Sequence, residues 1–288
     1  FSALPALLRK QGYDALAFHA NRPSFWNRSV MFKSLGFREL HGNPSFALDE
    51  KVGWGLSDSS FFKQSLSIID TSKPFYSLMI TLSSHFPYNF DYSSRSTLDV
   101  GKYKDSLLGR YLKAQNYVDS CFGEFIKELK DKGLYDNSLM VIYGDHYGIP
   151  KEEAEDLVEF LNVENSDFQW TKLQKIPLII HYPGLESSKV HSTAGGELDI
   201  MPTIANLMDL DIPYTIGKDL FNTDDGYALL RNGSLVTDKY LYLQNNSKAY
   251  DLENGSVLSD DVYRDELKKI LDEYEISQLI VEKNALKK

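Results

Sequence analysis

At 288 residues, with 42% hydrophobic and 25% charged residues, the chain has the composition of a globular protein, long enough to bury one large α/β core or two small ones. Its formal net charge of −10 argues against nucleic acid as a partner, since nothing would neutralise a row of phosphates, and leaves no overall attraction to an anionic membrane. Cys121 is the single cysteine, which excludes an internal disulfide and a cysteine-built zinc cage.

Residues 4–9 read as the end of a helix with Gly12 as its stop, and YDALAFH (13–19) as a short buried strand. A chain that opens on such a helix reads as the carboxyl-terminal portion of something longer. No apolar stretch approaches the roughly 20 residues that span a bilayer, and nothing at the start resembles a signal peptide. Residues 22–60 are rich in Ser, Asn, Gly and aromatics without clean periodicity, which predicts long loops with short helices. PFYSLMITLSSHFPY (74–88) predicts a strand. Over 103–132 apolar residues recur at the helical period, with Gly133 as the stop and Cys121 near the stripe as a core thiol. SLMVIYG (138–144) is the next strand, so strand, helix and strand come in the order of a parallel sheet.

Residues 151–165 predict a surface helix and IPLIIHYPG (176–184) another buried strand. ELDIMPTIANLMDL (197–210) is an amphipathic helix with Pro202 early, where proline costs least. From about residue 220 to 256 short alternating strands, with turns at Asp225-Gly226, Asn232-Gly233 and Asn254-Gly255, predict an antiparallel meander. Residues 259–284 predict a closing helix, capped by Ser259 and ending in lysines. The fold class is α/β: a mostly parallel sheet flanked by helices, then a small antiparallel meander and a closing helix.

In an open α/β sheet ligands bind beyond the carboxyl ends of the strands. Three groups sit at such ends: His19, His85 and the Asp145-His146 pair within YGDHYG. A carboxylate and an imidazole side by side suit one divalent ion, with Gly144 and Gly148 letting the backbone turn tightly around it. The alternative is an aspartate opening the next helix beside a merely hydrogen-bonded histidine. In HANRPSFWNR (19–28), Arg28 offers a planar fork for a phosphate or sulfate and Trp26 a flat wall for a small organic group. The alternative there is a loop anchored on the core by Phe25 and Trp26, with Arg28 a surface cation. His85 in SSHFPY suits an anion donor or a general acid. His41, His181 and His191 have no partner pattern and read as structural or surface residues.

Taken together, FHANRPSFWNR, LMITLSSHFPY, KGLYDNSLMVIYGDHYGI and GELDIMPTIANL resemble, in the same order and spacing, the extracellular domain of bacterial lipoteichoic acid synthases. These are polyglycerolphosphate transferases of the alkaline phosphatase and sulfatase superfamily. The resemblance implies that residues 1–219 are a sulfatase-like catalytic core without its first strands, and that 220–288 form the C-terminal strands and helix. It implies that Asp145 and His146 are catalytic ligands of manganese, with magnesium or zinc as alternatives. It further implies that His19, Trp26, Arg28 and His85 hold glycerol phosphate. The family's threonine nucleophile, and a glutamate that also binds the metal, lie upstream of the part resembling this chain.

The implied substrate is the phosphatidylglycerol headgroup and the implied product a growing glycerol phosphate polymer, at the extracellular face of a membrane to which the parent protein is anchored. Two other function classes stay open at this point. One is a sulfatase or phosphodiesterase in which water accepts the group, and the other is a noncatalytic module that binds an anionic polymer.

Overall fold

The structure, a computed structural model, describes residues 3–92, 94–212 and 214–285. Two compact units emerge, one of residues 3–165 and 173–186, the other of residues 166–172 and 187–285. In the first unit, chain order runs α1 (Leu4–Lys10), β1 (Asp14–Phe18), α2 (Arg28–Leu35), β2 (Glu39–His41), β3 (Lys51–Val52), β4 (Gly55–Leu56) and α3 (Asp58–Ile68). Then follow β5 (Phe75–Met79), α4 (Leu107–Asp131), β6 (Met140–Tyr143), α5 (Glu155–Leu161) and β7 (Leu178–His181).

The strand β1 is the centre of a parallel sheet of order β2-β1-β5, with Phe18 opposite both His41 and Met79. From Ala15 to Phe18 no residue exceeds 1% exposure, as expected of a parallel strand covered on both faces. Ala15 and Ala17 pack with Phe32 and Phe37 of the α2 region and with Tyr76 and Leu78 of β5. The side chain of Ser57 caps α3 by accepting from the Ser60 amide, and Phe62 of that helix stacks on Phe125 of α4 at 4.7 Å. Cys121 is buried, and burial pushes its thiol up to about 11.

Several expectations change. The region 22–60 holds the expected loops and a short helix, the eight-residue α2, but also β2, a strand of the parallel sheet, and the β3-β4 hairpin. The helix α2 shows no clean period because it buries only Phe32 while flanking residues face outward. The expected strand over 74–88 shortens to β5, half-buried throughout, and His85 lies in the loop well beyond its end. The strand β6 pairs with β7, antiparallel, and not with β5, so the expected parallel continuation is not what forms. Chain order sets which strand comes next, but strand direction is set by the connection, and the passage through α5 and a second short helix (Asp167–Leu173) returns β7 against β6. Nor is β7 buried: Ile179 is 56% exposed.

The second unit contains α6 (Asp167–Leu173), α7 (Ile200–Leu207), β8 (Tyr227–Leu229), β9 (Leu235–Thr237), β10 (Tyr240–Leu243), β11 (Lys248–Asp251) and α8 (Asp260–Glu282). The four strands form the expected antiparallel meander in the order β11-β10-β9-β8. Tyr240, Tyr242 and Leu235 from the sheet pack with Tyr263, Leu267 and Ile270 of α8, which explains why the closing helix carries an apolar stripe. Lys287 and Lys288, among the lysines expected at its end, lie outside the described residues.

Candidate active site

Because β1 and β5 run in the same direction, the loops leaving their carboxyl ends emerge at one end of the sheet. His19 directly follows β1 and is 3% exposed; its Nδ1 lies 3.0 Å from the carbonyl of Ile80, at the exit of β5. A carbonyl can only accept, so Nδ1 carries the hydrogen and Nε2 keeps the lone pair. The same device recurs twice. His85 places Nδ1 2.7 Å from the Phe86 carbonyl, and His146 places Nδ1 2.6 Å from the Tyr147 carbonyl. All three imidazoles are therefore oriented by main chain and present Nε2 for other work.

The rings of His85 and His146 meet at 5.7 Å, and His146 Nε2 lies 3.7 Å from Asp145 Oδ1. Burial pushes His19 below the ordinary histidine value; the bond to Ile80 and the charge of Asp145 oppose this, while Arg28 and His85 add to it. His19 thus feels the charges of Arg28, His85 and Asp145, and the ring contact of His85 with His146 joins two of the loops directly. Burial likewise pushes Arg28 down, against the pull of Asp145.

Arg28 opens α2 with its guanidinium 5.5 Å from the Phe25 ring and 5.9 Å from that of Trp26. Its Nη1 is buried and makes no hydrogen bond among the described residues. Trp26 is 79% exposed, so the loop is not anchored on the core by that indole. Trp26 and Asn27 adopt φ of 56° and 55°, two successive non-glycine residues in the left-handed region, a local strain that clusters at ligand-binding sites.

His41 and His181 in this unit stack on Phe18 and Tyr135 instead of joining the cluster. In the second unit His191 packs edge-on against Phe221.

The glycines of YGDHYG work differently from the expectation. Neither Gly144 nor Gly148 has a left-handed φ. A Cβ at Gly148 would stand 2.5 Å from the Tyr111 ring, and the Tyr88 hydroxyl donates to the Gly148 carbonyl at 2.6 Å. The glycine is needed for close packing against aromatic side chains, not for a tight turn around an ion.

As for a divalent ion, Asp145 and His146 supply two adjacent donors, both open to solvent, and the carbonyl bond at Nδ1 is the arrangement that orients a metal-binding imidazole. Among the described residues no group of three or more His, Cys, Asp or Glu side chains converges to complete such a shell. The pair fits a metal as two of its ligands.

One residue of the cluster escaped the sequence reading. Trp54 stands at the tip of the β3-β4 hairpin with its ring 5.5 Å from that of His85. The signal was present in VGWGL, a glycine at the first position of a two-residue hairpin turn between buried residues. A separate cavity of about 550 Å³, lined by Arg9, Arg38 and Lys73 together with Asp14 and Asp70, lies where β1 and β5 begin. Arg38 pairs there with Asp14 and Lys73 with Asp70, so its charges are largely satisfied from within.

The sulfatase family profile matches residues 1–210. Lipoteichoic acid synthase 1 of Bacillus subtilis is 37% identical over 265 residues, spanning 90% of this chain and 41% of that protein. The lipoteichoic acid synthase of Staphylococcus aureus is 33% identical over 266 residues, with the same two shares. The chain thus spans about two fifths of the length of these curated relatives. The crystal structure of the lipoteichoic acid synthase LtaP from Listeria monocytogenes matches with a TM-score of 0.83 at 30% identity, over 93% of this chain and 69% of that one. A protein of the alkaline phosphatase superfamily from Vibrio parahaemolyticus shares the fold at a TM-score of 0.71 and 21% identity, over 96% and 68%. Matched to the family profile over most of its length, and 30% identical to a synthase of which it covers more than two thirds, the chain belongs to the sulfatase family in its lipoteichoic acid synthase branch.

Proposed function

We propose that the chain is part of a phosphoglycerol transferase that moves glycerol phosphate from phosphatidylglycerol to a growing polymer through a covalent threonine intermediate, at the extracellular face of a bacterial membrane. The observation that carries the reading is Arg28 Nη1, a buried guanidinium nitrogen lacking a hydrogen-bond partner among the described residues, beside imidazoles whose Nε2 atoms are uncommitted to main chain. A buried cationic donor is costly to leave unpaired, and a phosphate oxygen would satisfy it.

In this reading the Arg28 fork grips the phosphate, His85 and His19 donate to its oxygens from Nε2 once the anion has drawn a proton onto that nitrogen, and the exposed face of Trp26 limits how the attached organic group lies. Asp145 and His146 would hold a manganese ion together with donors from outside this set. When bound, such an ion polarises a phosphoryl oxygen and favours formation of the nucleophile.

The test is binding of glycerol phosphate to this chain, followed by NMR. Arg28→Ala should weaken it by about 1.5–3 kcal/mol, the range for hydrogen bonds to charged groups. Unchanged binding in that variant, together with loss of binding on adding salt, would show nonspecific attraction and remove the pocket assignment.

A further inference from the structure

The hairpin that carries Trp54 is built to hold an indole outside the core. Register pairs Lys51 with Leu56 and Val52 with Gly55, leaving Gly53 and Trp54 as a two-residue turn. Gly53 takes φ +72°, the left-handed geometry such a turn requires at its first position, and leaves Trp54 at the second. Val52 and Leu56 are 4% and 2% exposed, so the strands are anchored, whereas Trp54 between them is 54% exposed.

The hairpin is also pinned to the loops that matter. A Cβ at Gly55 would meet the Ala20 carbonyl at 2.7 Å and Leu82 at 3.0 Å. Ala20 follows His19, and Leu82 precedes His85 on its loop, so the turn is wedged between two histidine-bearing segments. Its indole then contacts His85, which in turn contacts His146. An exposed indole is a poor way to finish a hairpin unless something covers it, because its large apolar face stays in water.

We propose that Trp54 is a ligand-binding residue, forming the apolar wall against which the carbon skeleton of a phosphorylated polyol lies once its phosphate is held by Arg28 and His85. This rests on the phosphate pocket proposed above and adds, to the face of Trp26 already assigned there, a second aromatic contact that favours an organic phosphate over the bare ion. The C–H bonds of a glycerol unit pack on an aromatic face, while its hydroxyls stay in water at the open rim. Inorganic phosphate has no such skeleton and gains nothing from the indole.

The experiment is a pair of NMR titrations, with glycerol phosphate and with inorganic phosphate, on the unmodified chain and on Trp54→Ala, Trp54→Phe and Arg28→Ala. Trp54→Ala should weaken glycerol phosphate about 2- to 10-fold, the factor that corresponds to one aromatic contact, and leave inorganic phosphate unchanged. Trp54→Phe should retain most of the preference, since it keeps an aromatic face. A folding defect would show as loss of both ligands in Trp54→Ala but not in Trp54→Phe, and the ratio of the two affinities in the phenylalanine variant then decides. Equal weakening of both ligands in both variants would mean that Trp54 acts only by propping His85, and no change in either ligand would mean that it does nothing; each overturns the proposal. If Arg28→Ala leaves both affinities intact, the phosphate pocket itself is wrong. If Arg28→Ala weakens both ligands while Trp54→Ala does not discriminate, the pocket stands and this inference alone falls.

Discussion

His19 links the chemistry of the site to the stability of the fold. Its pKa in the native state lies below the ordinary value of 6.5, because burial disfavours the charged imidazolium. Between those two values the unfolded chain holds a proton that the native chain lacks. Stability therefore rises with pH across that window, and is lost as pH falls through 6.5 toward the native pKa. Chemical denaturation at about pH 7.5 and pH 5.5 should show the native state weakening on acidification. His19→Asn, which removes the titration but keeps an amide donor for the Ile80 carbonyl, should flatten that slope. Burial lowers His41 too, so some slope should remain. An unchanged slope in the variant would show that His19 is not the group responsible. The contribution of His19 to phosphate binding should have the opposite sign, weakening as pH rises above its native pKa, because an anion favours the imidazolium.

At the scale of elements, the placement of His85 depends on the first turn of α3. Asp58 there is 1% exposed and its Oδ1 accepts from the amides of Leu82 and Ser83, each at 3.1 Å. Its own amide donates to Ser83 Oγ at 3.0 Å, and the Tyr92 hydroxyl donates to the Ser83 carbonyl. One helix start thus fixes the segment that leaves β5 and carries His85. Asp58→Ala should cost about 2–6 kcal/mol in denaturant unfolding, at about 1–3 for each of the two buried donors left without an acceptor. Asp58→Asn keeps an acceptor oxygen and should cost less. If both substitutions are neutral, the clamp is not a source of stability. The pH contribution of Asp58 has the opposite sign to that of His19. Burial raises its native pKa above 3.8, so its stabilising contribution is complete below 3.8 and is lost as pH rises through the native value.

For the molecule as a whole, the question is what this set of residues does unaided. In the function proposed above, nucleophile, metal and positioned substrate would act as a unit, so that removing one costs nearly the whole rate. Thr203 is no candidate nucleophile: it is fully buried, with Oγ1 donating to the Asp199 carbonyl and accepting from the Leu220 amide. Asp145 and His146 remain two donors without a converging third among the described residues. This chain alone should bind manganese weakly by calorimetry, with most of the coordination shell left to water. It should also show no manganese-dependent transfer or hydrolysis of a fluorescent phosphatidylglycerol above background. Turnover by the isolated chain, or submicromolar manganese affinity, would mean that a nucleophile or a third ligand lies within these 288 residues. Among the described residues no helix is long and apolar enough to cross a membrane.

Much of this protein was legible in its residues alone. The helical period over 103–132 became α4, the alternating stretch after residue 220 became the four-stranded meander, and the family stood out in SFWNR and YGDHYG. Those features are local: periodicity, turn residues and motif chemistry are carried by neighbours in sequence. What the tertiary structure decided is non-local. Only folding shows that β6 turns against β7, that Gly148 exists for the ring of Tyr111, and that three imidazoles are each oriented by a main-chain carbonyl. Only folding brings Trp54 to His85, because that meeting depends on how a hairpin wedges between two loops far away in the chain. Propensity sets the elements, but close packing of side chains chooses which surfaces meet, and that choice cannot be read from either partner alone.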